Sequence, residues 1–430
     1  MTLPHRLLSS LLFAIVGACS SPRAAPAVAS STQGSPVHGA PAPVAIDPGA
    51  VARAEGPAGL ARLLAAYDAA IEPGARAALA AQVDRAAGQR YATASRLYWY
   101  DDLEAAQAAA RASGKPILSL RMLGRLDEDL SCANSRMFRT LLYPDPRVNQ
   151  VLRDRFVLHW SSERPVPKVT IDYGDGRRLE TTVTGNSAHY VLDADGVPLD
   201  VLPGMYAPEV FAAALTRAAA LAERVRGASP AVRREQVVRH HREVVNLAAQ
   251  LWQAGRRVPA VGSLLTESDL QAAMRTTVSK AAVEVPALRR VDLGVDPGRL
   301  RERPEQDAAA GVATTLWQLT AVNVFDPAAT ALVRALLPPE AAADRVLYEL
   351  GYGVIAETAV DELVLRPMIS RRLLEHWTPS VVPLPFAELN AWVYAEVFRT
   401  PASDPWLGLR PTAVYTGLPG GAILHEAPRG

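Results

Sequence analysis

Apolar and polar positions along the chain follow helical spacing in some stretches and strand spacing in others. In GLARLLAAYDAAIEPGARAALAAQVDRAA, Leu60, Leu63, Leu64 and Tyr67 recur at three- and four-residue intervals, with a break at Pro73-Gly74. Residues 51–92 are therefore expected to form a helical segment, with a hairpin at that break. A further helix, DDLEAAQAAARAS, stops at Gly114, and Lys115-Pro116 lead into the apolar run Ile117–Leu123, which reads as a buried strand. The pattern then predicts a helix over about 132–143 and a strand over 156–160. KVTIDYGDGRRLETTVTG alternates on both sides of Gly174-Asp175-Gly176, a hairpin signal. A strand in NSAHYVL, a turn at Asp195-Gly196, a second strand and a helix opening at Pro208-Glu209 follow.

From about residue 230 the period is helical. AVRREQVVRHHREVVNLAAQLWQ, ATTLWQLTAVNVFDPAATALVRALL and ADRVLYELGYGVIAETAVDELVLRPMISRRLLEHW are amphipathic, and Pro338-Pro339 and Pro383-Pro385 mark loops. Trp392, Tyr394, Phe398 and Trp406 crowd around Asp404-Pro405, which suits either a ligand cleft or the last layer of a core.

The N-terminus has a different character. His5 and Arg6 precede an apolar run over 7–16, then the small residues Gly17 and Ala18, then Cys19. This is the pattern of a signal peptide, with an apolar core too short for a permanent span. Val16-Gly17-Ala18-Cys19 resembles the lipobox of bacterial lipoproteins. The resemblance implies cleavage before Cys19, acylation of its sulfur, and anchoring to a lipid bilayer, with Ser20 pointing to the outer membrane facing the periplasm. An ordinary secretory signal that discards Cys19 is the alternative. Residues 19–50 are Pro, Ala, Ser and Gly with few large apolar side chains, a composition that does not fold and reads as a tether.

Charge is nearly balanced, 45 Lys plus Arg against 44 Asp plus Glu, so the basic footprint of a nucleic-acid binder is missing. Only Lys115, Lys168 and Lys280 are lysines. The chain has two cysteines; with Cys19 acylated, Cys132 has no internal disulfide partner. Phosphate loops, dinucleotide fingerprints, zinc-protease helices and serine-nucleophile elbows do not occur, so no cofactor and no resident metal are expected.

The helix, strand, helix, strand, hairpin, helix order over about 95–224 resembles the thioredoxin fold, with EAAQAAARASGKPILSL like its opening and HYVLDADGVPLDVLPGMYAPEVFAAAL like its closing hairpin and helix. The fold class implied is an α/β thioredoxin-like domain (93–226) followed by a mainly α-helical domain (227–430). Cys132 falls where that family carries its attacking cysteine. Ser135 stands in place of the second cysteine, and Ser187 in place of the cis-proline that touches substrate. The loop before Cys132 is several residues longer than usual, and no carboxylate lies on PILSLRML to deprotonate a resolving thiol.

A two-cysteine cycle is excluded within one chain. Monothiol chemistry, a thiol-disulfide oxidoreductase or isomerase acting on a protein thiol, remains open. A helix start lowers a thiol pKa, and Arg136 and Arg139 follow on one face, while Asp127, Glu128 and Asp129 oppose a second negative charge. The competing reading is a core cysteine in a redox-inactive module that binds a protein or peptide. His159 and His189, at predicted strand ends, are candidate neighbours of Cys132 for a Cys-His pair or a metal. His240-His241, adjacent on a helix, have poor ligand spacing.

Overall fold

A computed structural model of the chain describes residues 47–182, 186–256, 324–378, 383–405 and 407. Cys19, the leader, the tether up to residue 46, residues 257–323 and Trp406 lie outside the described residues.

Prolines and acidic caps set the helix starts. Helices α1 (Pro48–Ala54), α2 (Pro57–Ala69) and α3 (Pro73–Ala87) each open on proline, where the missing N–H has no intrahelical partner to lose. The Asp47 and Glu72 carboxylates accept from Gly49 N and Ala75 N at the first turns of α1 and α3. Leu60, Leu63, Leu64, Val83 and Ala86 bury against one another in a small core. The break expected at Pro73-Gly74 is present, and a second one falls at Gly56. After the short α4 (Ala92–Ser95), α5 (Leu103–Ser113) is capped by Asp102 and ends at Gly114 in the left-handed region, φ 70°.

Strand β1 (Ile117–Leu123) is followed by a crossover made of α6 (Ala133–Met137), a π-helical turn (Phe138–Leu142) and α7 (Pro146–Arg155). The helix expected over 132–143 is thus a short α-helix widened into a π turn. Strand β2 (Val157–Arg164) runs four residues past the expected end. Strands β3 (Lys168–Asp172) and β4 (Arg178–Thr182) form the expected hairpin, a separate two-stranded sheet. Strands β5 (Ser187–Leu192) and β6 (Pro198–Pro203) lead to α8 (Pro208–Val225).

The main sheet has the order β2-β1-β5-β6, with β1 parallel to β2 and the β1/β5 and β5/β6 pairs antiparallel. Tyr100 adds a parallel bridge to His159 beyond β2. The chain is therefore a mixed α/β fold, a four-stranded sheet with many helices. Side chains alternate across a sheet. Ser119 and Arg121 of β1 therefore share a face with His159, Ser161 and Tyr190, their register partners or those partners' neighbours. Leu120 and Met122 share the other face with His189 and Ser187.

The remaining helices are α9 (Pro230–Arg256), α10 (Pro327–Leu336), α11 (Ala343–Val360) with a π turn at Asp361–Leu365, α12 (Arg366–His376), and α13 (Phe386–Trp392) with a π turn at Val393–Val397. Val237, Leu373, Leu389 and Phe398 from this half belong to the same buried core as the sheet. Tyr394 and Phe398 are buried and Trp392 packs against that core, so the described tail aromatics form a core layer.

Candidate functional site

Cys132 caps the start of α6, after the first strand, and is fully buried. Its N–H donates to Leu123 O at 3.1 Å, which ties the residue to the end of β1. Ser135 is also fully buried: its Oγ donates to Cys132 O at 2.8 Å and lies 2.6 Å from Ser131 Oγ. Thr182 Oγ1 donates to Ser131 O at 2.9 Å and accepts from Arg136 Nη2 at 3.1 Å. The backbone on both sides of Cys132 is thus tied down, its side chain belongs to the buried core, and Ser135 is committed to structure.

Arg139 takes a different role from the one expected. Its guanidinium donates to Leu126 O at 2.8 Å, to Glu128 O, and to Asp129 O at 3.3 Å, clamping the long loop before Cys132. Burial brings it down to about 10, so it stays charged at neutral pH. Burial also lowers Arg136. Both arginines, and the Tyr143 hydroxyl, lie within electrostatic reach of Cys132. The acids expected to oppose a thiolate are paired: Asp127 with Arg125 at 2.7 Å, Glu128 with Arg125 at 3.5 Å and Asp129 with Arg90 at 2.8 Å.

The two histidines do not meet. His159 pairs with Ser119 and His189 with Leu120 in the β-ladders, and consecutive β1 positions face opposite sides of the sheet. His159 Nδ1 lies 2.8 Å from Ser119 Oγ. His189 Nε2 lies 2.8 Å from the Tyr143 hydroxyl, with its ring 4.7 Å from Phe138 and 4.9 Å from Phe211. Burial lowers His159 to about 4 and His189 to about 3, so both are neutral. The metal set of Cys132, His159 and His189 is therefore not assembled, and His189 makes no hydrogen bond to Cys132: its Nε2 is on the Tyr143 hydroxyl and its buried Nδ1 has no partner among the described residues. Ser187 opens β5 opposite Met122; its Oγ is buried with no hydrogen-bond partner among the described residues.

The sequence reading missed a second buried cluster. Asp200, in the middle of β6, is contacted on Oδ2 by His240 Nε2 at 2.8 Å and Arg366 Nη2 at 2.8 Å. His241 places Nε2 3.0 Å from Leu199 O and Nδ1 3.1 Å from Ser370 Oγ. The adjacent histidines therefore both reach β6, His240 through the Asp200 carboxylate and His241 through the Leu199 carbonyl. Burial pushes the Asp200 carboxyl up, but Arg366 and then His240 outweigh it and hold it below the usual carboxylate range. Arg366 is raised by Asp200 and Glu362 against its own burial, and burial lowers His241 to about 4.

Asp200, His240 and His241 are the one group among the described residues with metal-like spacing. A cation there would meet the Arg366 guanidinium on the same oxygen, and both His241 nitrogens are already engaged. The cluster is an internal ion network joining β6, α9 and α12. The signals for it were an aspartate inside an apolar strand, PLDVLP, and Arg366-Pro367 opening a helix.

No family model matches the chain, and no curated protein and no solved structure matches it either. No described helix is long and apolar enough to cross a membrane.

Proposed function

We propose that this is a lipid-anchored cell-envelope protein whose α/β core is a thioredoxin-like module that holds a partner and performs no thiol–disulfide chemistry. The observation that carries the reading is the burial of Cys132, at 0% exposure, with its amide on Leu123 O and its carbonyl on Ser135 Oγ. A thiolate must approach a disulfide in line to attack it, and an enclosed sulfur does not. The sheet order β2-β1-β5-β6, the helical crossover from β1 to β2, and the closing hairpin and helix support the thioredoxin-like assignment. The lipobox-like residues before Cys19 support the anchor.

Monothiol chemistry at Cys132, framed by Ser135 and Ser187, is the second reading. It is favoured by the electrostatic reach of Arg136 and Arg139 to the sulfur. Turnover of a glutathionylated peptide by glutathione separates the two. The binding-module reading expects the same rate for the native chain and for Cys132→Ala; a rate that disappears in the variant would establish the enzyme. Incorporation of labelled palmitate that is abolished by Cys19→Ala tests the anchor.

A further inference from the structure

The hairpin of β3 and β4 stands apart from the main sheet and carries a free strand edge. Val166 and Thr182 at its base are buried and Tyr173 at its turn is 56% exposed, so it projects from the body. Tyr173 N donates to Arg177 O at 3.1 Å, which makes these two a hydrogen-bonded pair. Such pairs fall at alternate positions along an antiparallel ladder, so Ile171 with Leu179 and Val169 with Thr181 are the next ones. The backbone N–H and C=O groups of Lys168, Thr170 and Asp172 therefore point away from β4. All three residues are exposed, and those groups have no hydrogen-bond partner among the described residues.

The two edges of the hairpin differ. On the β4 side, Thr182 is held to the body through Ser131 O and Arg136, and a symmetric pairing about Glu180 would set that carboxylate against its own copy. The β3 edge, Lys168-Val169-Thr170-Ile171-Asp172, is self-complementary instead. Antiparallel pairing with a second β3 about Thr170 places Lys168 opposite Asp172 at both ends and Val169 opposite Ile171 between them. That register uses the three outward-facing residues as its hydrogen-bonded pairs, so side chains and backbone call for the same alignment. Asp172 holds Arg178 at 3.0 Å on its β4 side, and Lys168 has no ion-pair partner among the described residues. Across the joined strands Arg178, Asp172 and the incoming Lys168 alternate in sign. On the other face Leu179 and Ile171 are register partners, and the incoming Val169 extends that apolar row.

We propose that β3 is a self-association edge: two copies of this chain pair their β3 strands antiparallel about Thr170 and join their hairpins into one four-stranded sheet of order β4-β3-β3-β4. A lone two-stranded hairpin is marginal in water, and the added strands give it the support it lacks. The paired edge is only five residues long, so the dimer is weak and depends on concentration. The inference goes beyond the partner-holding reading and does not depend on the chemistry of Cys132.

Sedimentation equilibrium of the full chain from micromolar to millimolar concentration tests it. A monomer–dimer equilibrium is expected, and hydrogen exchange at the amides of Lys168, Thr170 and Asp172 is expected to slow as the dimer fills. Thr170→Pro removes an outward N–H that β4 does not use and is expected to weaken the dimer about tenfold or more, with the circular dichroism of the body unchanged. Lys168→Asp sets like charges opposite each other at both ends and is expected to weaken it to a similar extent, whereas Lys168→Arg is expected to associate as the native chain does. A native chain that stays monomeric at millimolar concentration overturns the proposal. A dimer that Thr170→Pro and Lys168→Asp leave at full strength, or one that protects the Glu180 amide in place of Thr170, overturns the edge and its register.

Discussion

Acid should unfold this protein through its buried histidines. His159, His189 and His241 are each at most 2% exposed, and burial lowers them to about 4, 3 and 4. An unfolded histidine titrates near 6.5, so below that pH the unfolded chain binds three protons that the folded chain refuses. Their contribution to stability is complete above about pH 6.5 and is lost as pH falls toward the folded values. Between pH 7 and pH 5 the loss is about 1.8 kcal/mol for each histidine and about 5 kcal/mol for the three. That is comparable to the whole stability of an ordinary domain, about 5–15 kcal/mol. Asp200, also held low, works in the same sense but only below the ordinary carboxylate range, near pH 4. Urea unfolding at pH 7, 6 and 5 measures the effect. The midpoint should fall steadily with a proton uptake approaching three, and His189→Phe, placed among Phe138 and Phe211, should remove about one third of the slope. A stability that is flat from pH 7 to pH 5 would refute the burial argument.

Three further outcomes follow from the packing. Asp200→Asn removes one of the two carboxylates paired with the buried Arg366, Glu362 at 2.7 Å being the other, and should cost about 1.5–3 kcal/mol in urea unfolding, while Asp200→Leu with Arg366→Met should recover most of that loss. Gly204→Ala should cost about 2–4 kcal/mol in the same assay, because φ is 78° and the added Cβ would overlap the Asp361 carboxylate that accepts Met205 N at 2.6 Å. Phe138→Ala should cost about 3–5 kcal/mol by opening a cavity beside His189 and Tyr143, and should move the His189 titration, followed by NMR, up from about 3 toward the ordinary histidine range.

What could be read from the sequence was local. Prolines at 73 and 208, the stop at Gly114 and the Gly174-Asp175-Gly176 turn act within a few residues, and the elements they bound are present. The π turn at Phe138–Leu142 has no local signature, so its stretch read as plain helix. Strands β5 and β6 are buried at every position, which erases the alternation that would have shown which way Ser187, His189 and Asp200 face. The face of His159 relative to His189 depends on a one-residue difference in register across β1, and sequence spacing carries no trace of that. The Asp200 network joins residues 40 and 166 positions apart, and the Thr400 hydroxyl that accepts from Asn186 comes from 214 positions away. The Arg139 guanidinium is consumed by three carbonyls of the loop before Cys132, a contact that its spacing from Cys132 along the chain does not reveal.

A partner-holding role without redox chemistry requires Cys132 to stay enclosed in the folded protein. Its most direct test is the rate of iodoacetamide alkylation of Cys132 across pH in the folded chain lacking residues 1–19. The account predicts that alkylation proceeds only as fast as the protein unfolds, and reaches the free-thiol rate in denaturant. Rapid alkylation of the native protein, with an apparent pKa well under the free-thiol value of about 8.5, would contradict it and make the monothiol enzyme the better account.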